Sequence, residues 1–392
     1  MASPCETSAR PRKHRVLFLF AHLHKGGMQK AVSNISCALP PEIEQYVAYF
    51  GTENPGFPYK GRLVDLTIPG GMHGGIARKA WNFASRIWRL QGLIDREGID
   101  TVVSFGEAAN MLNILTRRKR TVLSVRVSLA ESLGGTGINR LYGNVYRLVI
   151  RHLYKRAHGI VAVSSGIAGD LATRFAIPAG KIAVITNGYD RGQIIALSAE
   201  PLEHEIEPIF AHPVVINVGS LTFQKGQEHL LRSFALARRA IPGLQLVILG
   251  EGPLRGRLDD LVLELGLAGL VHFLGFRLNP FKYVARSRMF VFTSLFEGFP
   301  NALVEAMVCG VPVVATDCPT GPREIVGDSE FGILVPMNPG ANRAEMEARI
   351  AEGMVRLSEA DCHAHYREMA RSRSEAFDIR SAADKWRSVI AP

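Results

Sequence analysis

Cysteine is scarce in this 392-residue sequence: Cys5, Cys37, Cys309, Cys318 and Cys362 are scattered, odd in number and form no Cys-x-x-Cys pair. This excludes a disulfide framework and a thiolate zinc site, and it fits a reducing, cytoplasmic compartment. No stretch approaches the roughly 18 consecutive apolar residues of a membrane span. The first apolar run, Val16 to Ala21, has the length of a strand and not of a leader's core. No Asp-x-Asp pair occurs, which removes the usual carboxylate anchor for a divalent ion on a diphosphate. Acidic residues are also few in the first half. Residues 1–190 hold 25 Lys and Arg against 12 Asp and Glu, a balance of +13, whereas residues 191–392 hold 21 against 24, a balance of −3. The net charge of +10 therefore belongs to the first half, as either a basic solvated face or a surface for an anionic partner.

What is present is globular: 47% hydrophobic and 21% charged residues with 38 glycines, in a chain long enough for two domains. Short β-type runs alternate with longer amphipathic stretches, the pattern of parallel βαβ units. Strands are expected at Val16–Phe20, Gln45–Phe50, Thr101–Phe105, Thr121–Val125, Gly159–Val163 and Ile182–Ile185. The apolar period lapses over 193–211, around Pro201 and Pro208. A second series follows at Pro213–Val218, Leu244–Leu249, Val271–Leu274, Met289–Thr293, Val311–Ala315 and Gly332–Val335. The expected organisation is a disordered basic terminus (1–14), a first Rossmann-like domain (15–192), a linker (193–211) and a second (212–365). A closing helical segment (366–392) is expected to pack back on the first domain. The fold class is α/β, two Rossmann-like doubly wound domains facing across a cleft at the carboxyl ends of their strands.

The segment Thr293-Ser-Leu-Phe-Glu-Gly-Phe-Pro-Asn-Ala-Leu-Val-Glu305 carries the most chemistry. Gly298 and Pro300 shape a turn, and Asn301 to Cys309 reads as a helix stopped at Gly310. One carboxylate, Glu297, falls on the loop and the other, Glu305, on the helix. Backbone N–H groups of Phe299, Asn301, Ala302 and Leu303, with Pro300 in the turn among them, mark a helix N-terminus, where anions are favoured. A carboxylate accepts two hydrogen bonds side by side, which suits vicinal hydroxyls of a sugar or ribose.

In this context of EGFPN followed by LVEAM, the Glu297 to Glu305 spacing resembles the E-x7-E signature of the retaining glycosyltransferases of family 4, which have the GT-B fold. The resemblance runs from about Val16 to Pro336. It implies that Glu297 contacts the transferred sugar and Glu305 the nucleotide ribose. In Val218-Gly-Ser-Leu-Thr-Phe-Gln-Lys-Gly226 the family's lysine stands at Lys225, but Ser220 replaces its usual arginine, leaving the diphosphate to Lys225, the helix N-terminus and a basic group elsewhere. His22-Leu-His-Lys-Gly-Gly-Met28 resembles the family's glycine loop, with Gly26 and Gly27 admitting a phosphate or sugar close to the backbone. Leu249-Gly-Glu-Gly-Pro253 resembles the loop under the nucleotide, placing Gly250 and Glu251 at the donor; its spacing to Gly256 fails the dinucleotide fingerprint and argues against an NAD enzyme. The family often has a histidine after the Thr101–Phe105 strand. None stands there, and Glu107 and Asn110 are the candidate catalytic substitutes, with His22 and His24 as alternatives. Cys318-Pro-Thr-Gly-Pro-Arg-Glu324 resembles a version found in bacterial surface-polysaccharide and lipid-linked-oligosaccharide transferases, where Arg323 and Glu324 either pair with each other or meet ligand.

Arg78–Arg89 and Arg140–Arg156 interleave aromatic and basic residues at helical spacing. Either these helices lie on an anionic membrane, peripheral to its inner face, or Trp81, Trp88, Tyr146 and Tyr154 are core residues. The expected activity is retaining, metal-independent transfer of a hexose or N-acetylhexosamine from a UDP- or GDP-linked donor, without a cofactor, to a lipid-linked or polysaccharide acceptor. Lys225 and backbone amides would stabilise the leaving diphosphate. The rivals are a GT-B-fold epimerase or phosphorylase and a basic nucleic-acid binder; the last lacks any recognised module, so nucleic acid is not expected as a partner.

Overall fold

The computed structural model describes residues 12–23, 26–51, 56–68, 75–117, 119–128, 147–337 and 342–391. By internal packing the chain divides into two compact units: residues 1–124, 153–160 and 383–392, and residues 125–152 with 161–382.

Among the described residues, thirteen strands form two sheets. The seven-stranded sheet contains β1 (His14–Phe20), β2 (Ile43–Tyr49), β3 (Arg62–Asp65), β4 (Thr101–Phe105), β5 (Arg120–Val125), β6 (Gly159–Ala162) and β7 (Ile182–Val184) in the order β3-β2-β1-β4-β5-β6-β7. The six-stranded sheet contains β8 (Val214–Val218), β9 (Gln245–Leu249), β10 (Val271–Gly275), β11 (Met289–Phe292), β12 (Val313–Asp317) and β13 (Ile333–Pro336) in the order β10-β9-β8-β11-β12-β13, every neighbour parallel. Both are doubly wound, with strand order reversing between β1 and β4 in one and between β8 and β11 in the other, where ligands of such sheets bind. Strands buried on both faces read as continuous apolar runs: Val16 to Phe20 is fully buried, as are Met289, Phe290 and Val291.

All twelve expected strands are present, with no end shifted by more than two residues. The missed element is β3, whose four residues sit at the sheet edge, largely exposed, and so show no apolar pattern. The stretch after Asp190 is not irregular throughout. Asp190 caps the helix Arg191–Ser198 by accepting from Gln193 N at 2.9 Å, and a 3-10 turn runs over Glu207–Ala211. At the chain's other end, Trp386 is fully buried with its ring 5.8 Å from that of Phe105, and Thr101 Oγ1 donates to Ile390 O at 2.9 Å. Residues 1–11 of the expected disordered terminus lie outside the described residues.

Candidate active site

The second sheet's switch point is flanked by the loop after β8, residues 219–226, and the loop after β11, residues 293–300. Lys225 closes a 3-10 turn, and Gly226 follows in the left-handed region at φ 62°. A Cβ on Gly226 would lie 2.2 Å from Thr293 O, so only glycine lets the two loops meet there. They are stitched together by Leu295 N to Gln224 O at 2.8 Å, Gln224 Nε2 to Phe296 O at 2.9 Å and Thr293 Oγ1 to Lys225 O at 3.0 Å. Lys225 Nζ is thereby held 2.5 Å from Glu297 Oε1, with side-chain exposures of 23% and 9%. A pair this buried is held by its surroundings more than it stabilises them.

Glu297 is fixed from the other side as well: its N–H donates to Pro319 O at 2.9 Å and its carbonyl accepts from Thr320 Oγ1 at 2.6 Å. After the turn comes the helix Asn301–Val308, whose first N–H groups have no side-chain cap. Glu305 is buried on it, 7% exposed like Glu297. Pro300 and Leu303 are buried, Ala302 is half-buried, and Phe299 stacks edge-on against Phe377 at 5.6 Å. Uncapped amides, a lysine and two carboxylates are thus gathered around one turn, a set able to hold an anion and hydroxyls together.

Ser220 is exposed, its carbonyl accepting from Gln227 Nε2 at 3.0 Å. Gly250 answers a demand of the backbone itself. At φ 145° its Cβ would fall 1.9 Å from Gly219 O, so the glycine lets the loops after β8 and β9 touch. Glu251 is exposed, and its Oε1 accepts from Phe276 N at 3.3 Å.

The first sheet's switch point carries Gly26 and Gly27, at the cap and first position of the uncapped helix Gly27–Ala38, and Glu107, which opens the helix Glu107–Thr116. Burial pushes the Glu107 carboxyl up to about 7, outweighing the hydrogen bonds from Tyr154 Oη and Asn110 that oppose the shift. The Asn110 expectation is corrected. Its side chain is fully buried, accepting from Ser104 Oγ at 2.8 Å and donating to Ser124 O at 3.2 Å and Tyr154 Oη at 3.3 Å, so it ties β4 to β5 and presents no atom to a substrate. His22 is exposed, whereas His24 lies outside the described residues.

Arg323 and Glu324 do not pair with each other. Arg323 pairs with Asp317 and Asp328, while the Glu324 carboxylate accepts from Ser165 N at 2.8 Å and Gly166 N at 2.9 Å, at the start of the helix Ser165–Thr173. The aromatic expectations split. Trp81 and Trp88 are 72% and 73% exposed on the helix Ile76–Arg96, two turns apart on one face, but Tyr154 is fully buried. Tyr146 lies outside the described residues, with most of Arg140–Arg156. No helix among the described residues is long and apolar enough to cross a membrane.

Three residues near the site were missed in the sequence. Asn301 Oδ1 accepts from Asn187 Nδ2 at 2.6 Å and Tyr189 Oη at 2.7 Å, and Asn187 Oδ1 in turn accepts from Arg126 Nη2. Nothing in their spacing marks them, because they reach Asn301 only through the fold.

Comparison with known proteins converges on one group. Residues 25–193 match the model of Glycosyltransferase Family 4, and residues 202–354 that of Glycosyl transferases group 1. An uncharacterised glycosyltransferase of Methanocaldococcus jannaschii is 33% identical over 79% of this chain and 84% of its own length. The N-acetylgalactosamine-N,N'-diacetylbacillosaminyl-diphospho-undecaprenol 4-alpha-N-acetylgalactosaminyltransferase of Campylobacter jejuni is 33% identical over 75% of this chain and 77% of its own length. The crystal structure of Anabaena HepE in complex with UDP and glucose superposes with a TM-score of 0.75 over 96% of this chain and 99% of that one, at 20% identity, which establishes a common fold.

Proposed function

The chain belongs to the group 1, family 4 glycosyltransferases, which have the GT-B fold, and from that premise we propose that it moves a hexose or N-acetylhexosamine from a nucleoside diphosphate sugar to a lipid-linked or polysaccharide acceptor. The observation that carries this reading is the Lys225–Glu297 pair beside the uncapped helix Asn301–Val308. When a donor enters, Lys225 turns to the diphosphate and Glu297 is freed for the sugar hydroxyls. Glu305 takes the ribose, and the N-terminal end of the helix Asn301–Val308 faces the phosphates. The bond between the anomeric carbon and the phosphate oxygen breaks, and the acceptor hydroxyl adds on the face the diphosphate leaves. A phosphate oxygen takes its proton, so configuration is retained. Lys225 and the helix amides stabilise the charge on the leaving group, and the reaction needs no metal.

Glu107, poised near neutrality, is the acid or base available on the first unit, where the helix that starts at Gly27 points its N-terminus at an anionic part of a substrate. A uridine-linked donor is favoured by the UDP in the HepE complex, and a diphospho-polyprenol acceptor by the name of the Campylobacter relative. Trp81 and Trp88, exposed on a basic helix, suit the anionic membrane surface on which such an acceptor resides; the proposed location is the cytoplasmic face.

The test is a transfer assay with EDTA present, offering UDP- and GDP-linked hexoses and N-acetylhexosamines to a short-chain polyprenyl diphosphate glycan. Transfer from one donor, with the anomeric configuration kept, is the expected result. Donor consumed without acceptor, or only with inorganic phosphate, would make the chain an epimerase or a phosphorylase instead.

A further inference from the structure

Arg126 directly follows β5 and is 8% exposed, yet it meets no carboxylate among the described residues. Its Nη2 donates to Asn187 Oδ1, while its Nη1 is buried without a hydrogen-bond partner among the described residues. A guanidinium is rarely left this way: burying an unanswered charged donor costs several kcal/mol, and large costs of this kind gather where a ligand completes the set. Burial also pulls its pKa down to about 10, leaving it a cation at neutral pH.

The position of this unanswered group is fixed by two contacts. A Cβ on Gly298 would lie 1.9 Å from Arg126 O, so the arginine's own backbone rests on the residue next to Glu297. Through Asn187 the guanidinium is hydrogen-bonded onward to Asn301, the first residue of the uncapped helix. The free Nη1 therefore sits with the two groups already assigned to the donor. The loop after β8, by contrast, offers only Lys225 as a cation, since residue 220 is a serine.

We propose that Arg126 Nη1 binds a phosphate oxygen of the donor's diphosphate, supplying from the end of β5 the second cation that Ser220 does not provide. The inference rests on the donor reading above. A side chain anchored by Asn187 through one nitrogen presents the other in a fixed direction, as planar guanidinium chemistry allows and an ammonium does not.

The test measures binding of UDP, GDP, uridine and guanosine by calorimetry in EDTA, on the full chain and on Arg126→Gln, with thermal melts as a folding control. The expected result is that one diphosphate binds the unmodified chain more tightly than its nucleoside. Arg126→Gln then weakens the diphosphate tenfold to a hundredfold and leaves the nucleoside unchanged, a split that a merely structural role does not produce. Asn187→Ala, which keeps the charge but frees it from its anchor, gives a smaller loss of the same selectivity and serves if Arg126→Gln does not fold. Ser220→Arg in the Arg126→Gln background restores part of the preference. If Arg126→Gln and Asn187→Ala keep the full preference for diphosphate, the inference is overturned while the donor reading stands. If the unmodified chain prefers neither diphosphate over its nucleoside, the donor reading itself fails and takes the inference with it.

Discussion

At the switch point of the second sheet, Glu297 is answered by Lys225 at 2.5 Å; at that of the first, Glu107 has the hydroxyl of Tyr154 for a partner and pairs with no cation among the described residues. The central strand order is the same in both sheets, and each acid lies on the segment that follows the fourth strand. Topology thus fixes where an acid stands, and its neighbours fix what it does. The lysine beside Glu297 gives that carboxylate a partner it can exchange for the hydroxyls of a ligand. Desolvation of Glu107 raises its carboxyl to about 7, even though its position in a helix's first turn favours the anion by up to about 1 kcal/mol.

That contrast can be broken at either end. The largest effect is expected from Glu297→Gln, which keeps shape but removes the charge: transfer falls about a thousandfold in kcat/KM, roughly 4 kcal/mol, as steady-state kinetics will show. Lys225→Ala should cost about a hundredfold, and less if Arg126 shares its work; the loss must appear equally with EDTA or magnesium present if no metal acts at the diphosphate.

For Glu107 the sign is set by a raised pKa in an acid. Between about pH 4.5 and pH 7 the folded chain keeps a proton that the unfolded chain releases, so stability falls as pH rises through that window. Glu107→Gln should flatten the fall and raise stability at pH 8 by about 2 kcal/mol in a urea titration. If the same variant also loses an ionisation near pH 7 from its rate profile, Glu107 moves a proton in the reaction; unchanged rates would reduce it to a packing residue. The smallest effect is expected from Trp81→Ala with Trp88→Ala: about tenfold weaker binding to vesicles containing anionic lipid, with no change in melting temperature, because both rings are already exposed. Vesicle binding that survives both changes removes this helix from the membrane reading.

The sequence made the βαβ alternation legible because buried parallel strands are short unbroken apolar runs, and it singled out Lys225 and Glu297 on two loops, and Glu305 on the helix after one of them, by the glycines and prolines around them. It did not reveal β3, where an exposed edge leaves no pattern, or the helix Arg191–Ser198, whose apolar face is too weak to stand out between prolines. Asn110 misled for a physical reason: an amide one turn into a helix after a strand reads alike whether it faces a substrate or bridges two strands. Arg126, Asn187 and Tyr189 stayed hidden because their link to Asn301 spans more than a hundred residues of sequence. Gly298 belongs with them, since its lack of a side chain matters only where Arg126 O closes on it.

The Lys225–Glu297 pair also bears on the order of events in turnover. On the proposed donor reading, each charge of the pair occupies the place that part of the donor would take, so the chain carries its own competitor. A ligand that offers only an anion releases the lysine and strands the carboxylate, and one that offers only hydroxyls does the reverse. An intact sugar nucleotide satisfies both at once. After transfer the remaining nucleoside diphosphate satisfies one, and the carboxylate pulls the lysine back toward itself. The resting ion pair thus favours substrate over spent product and helps to clear the site for the next donor.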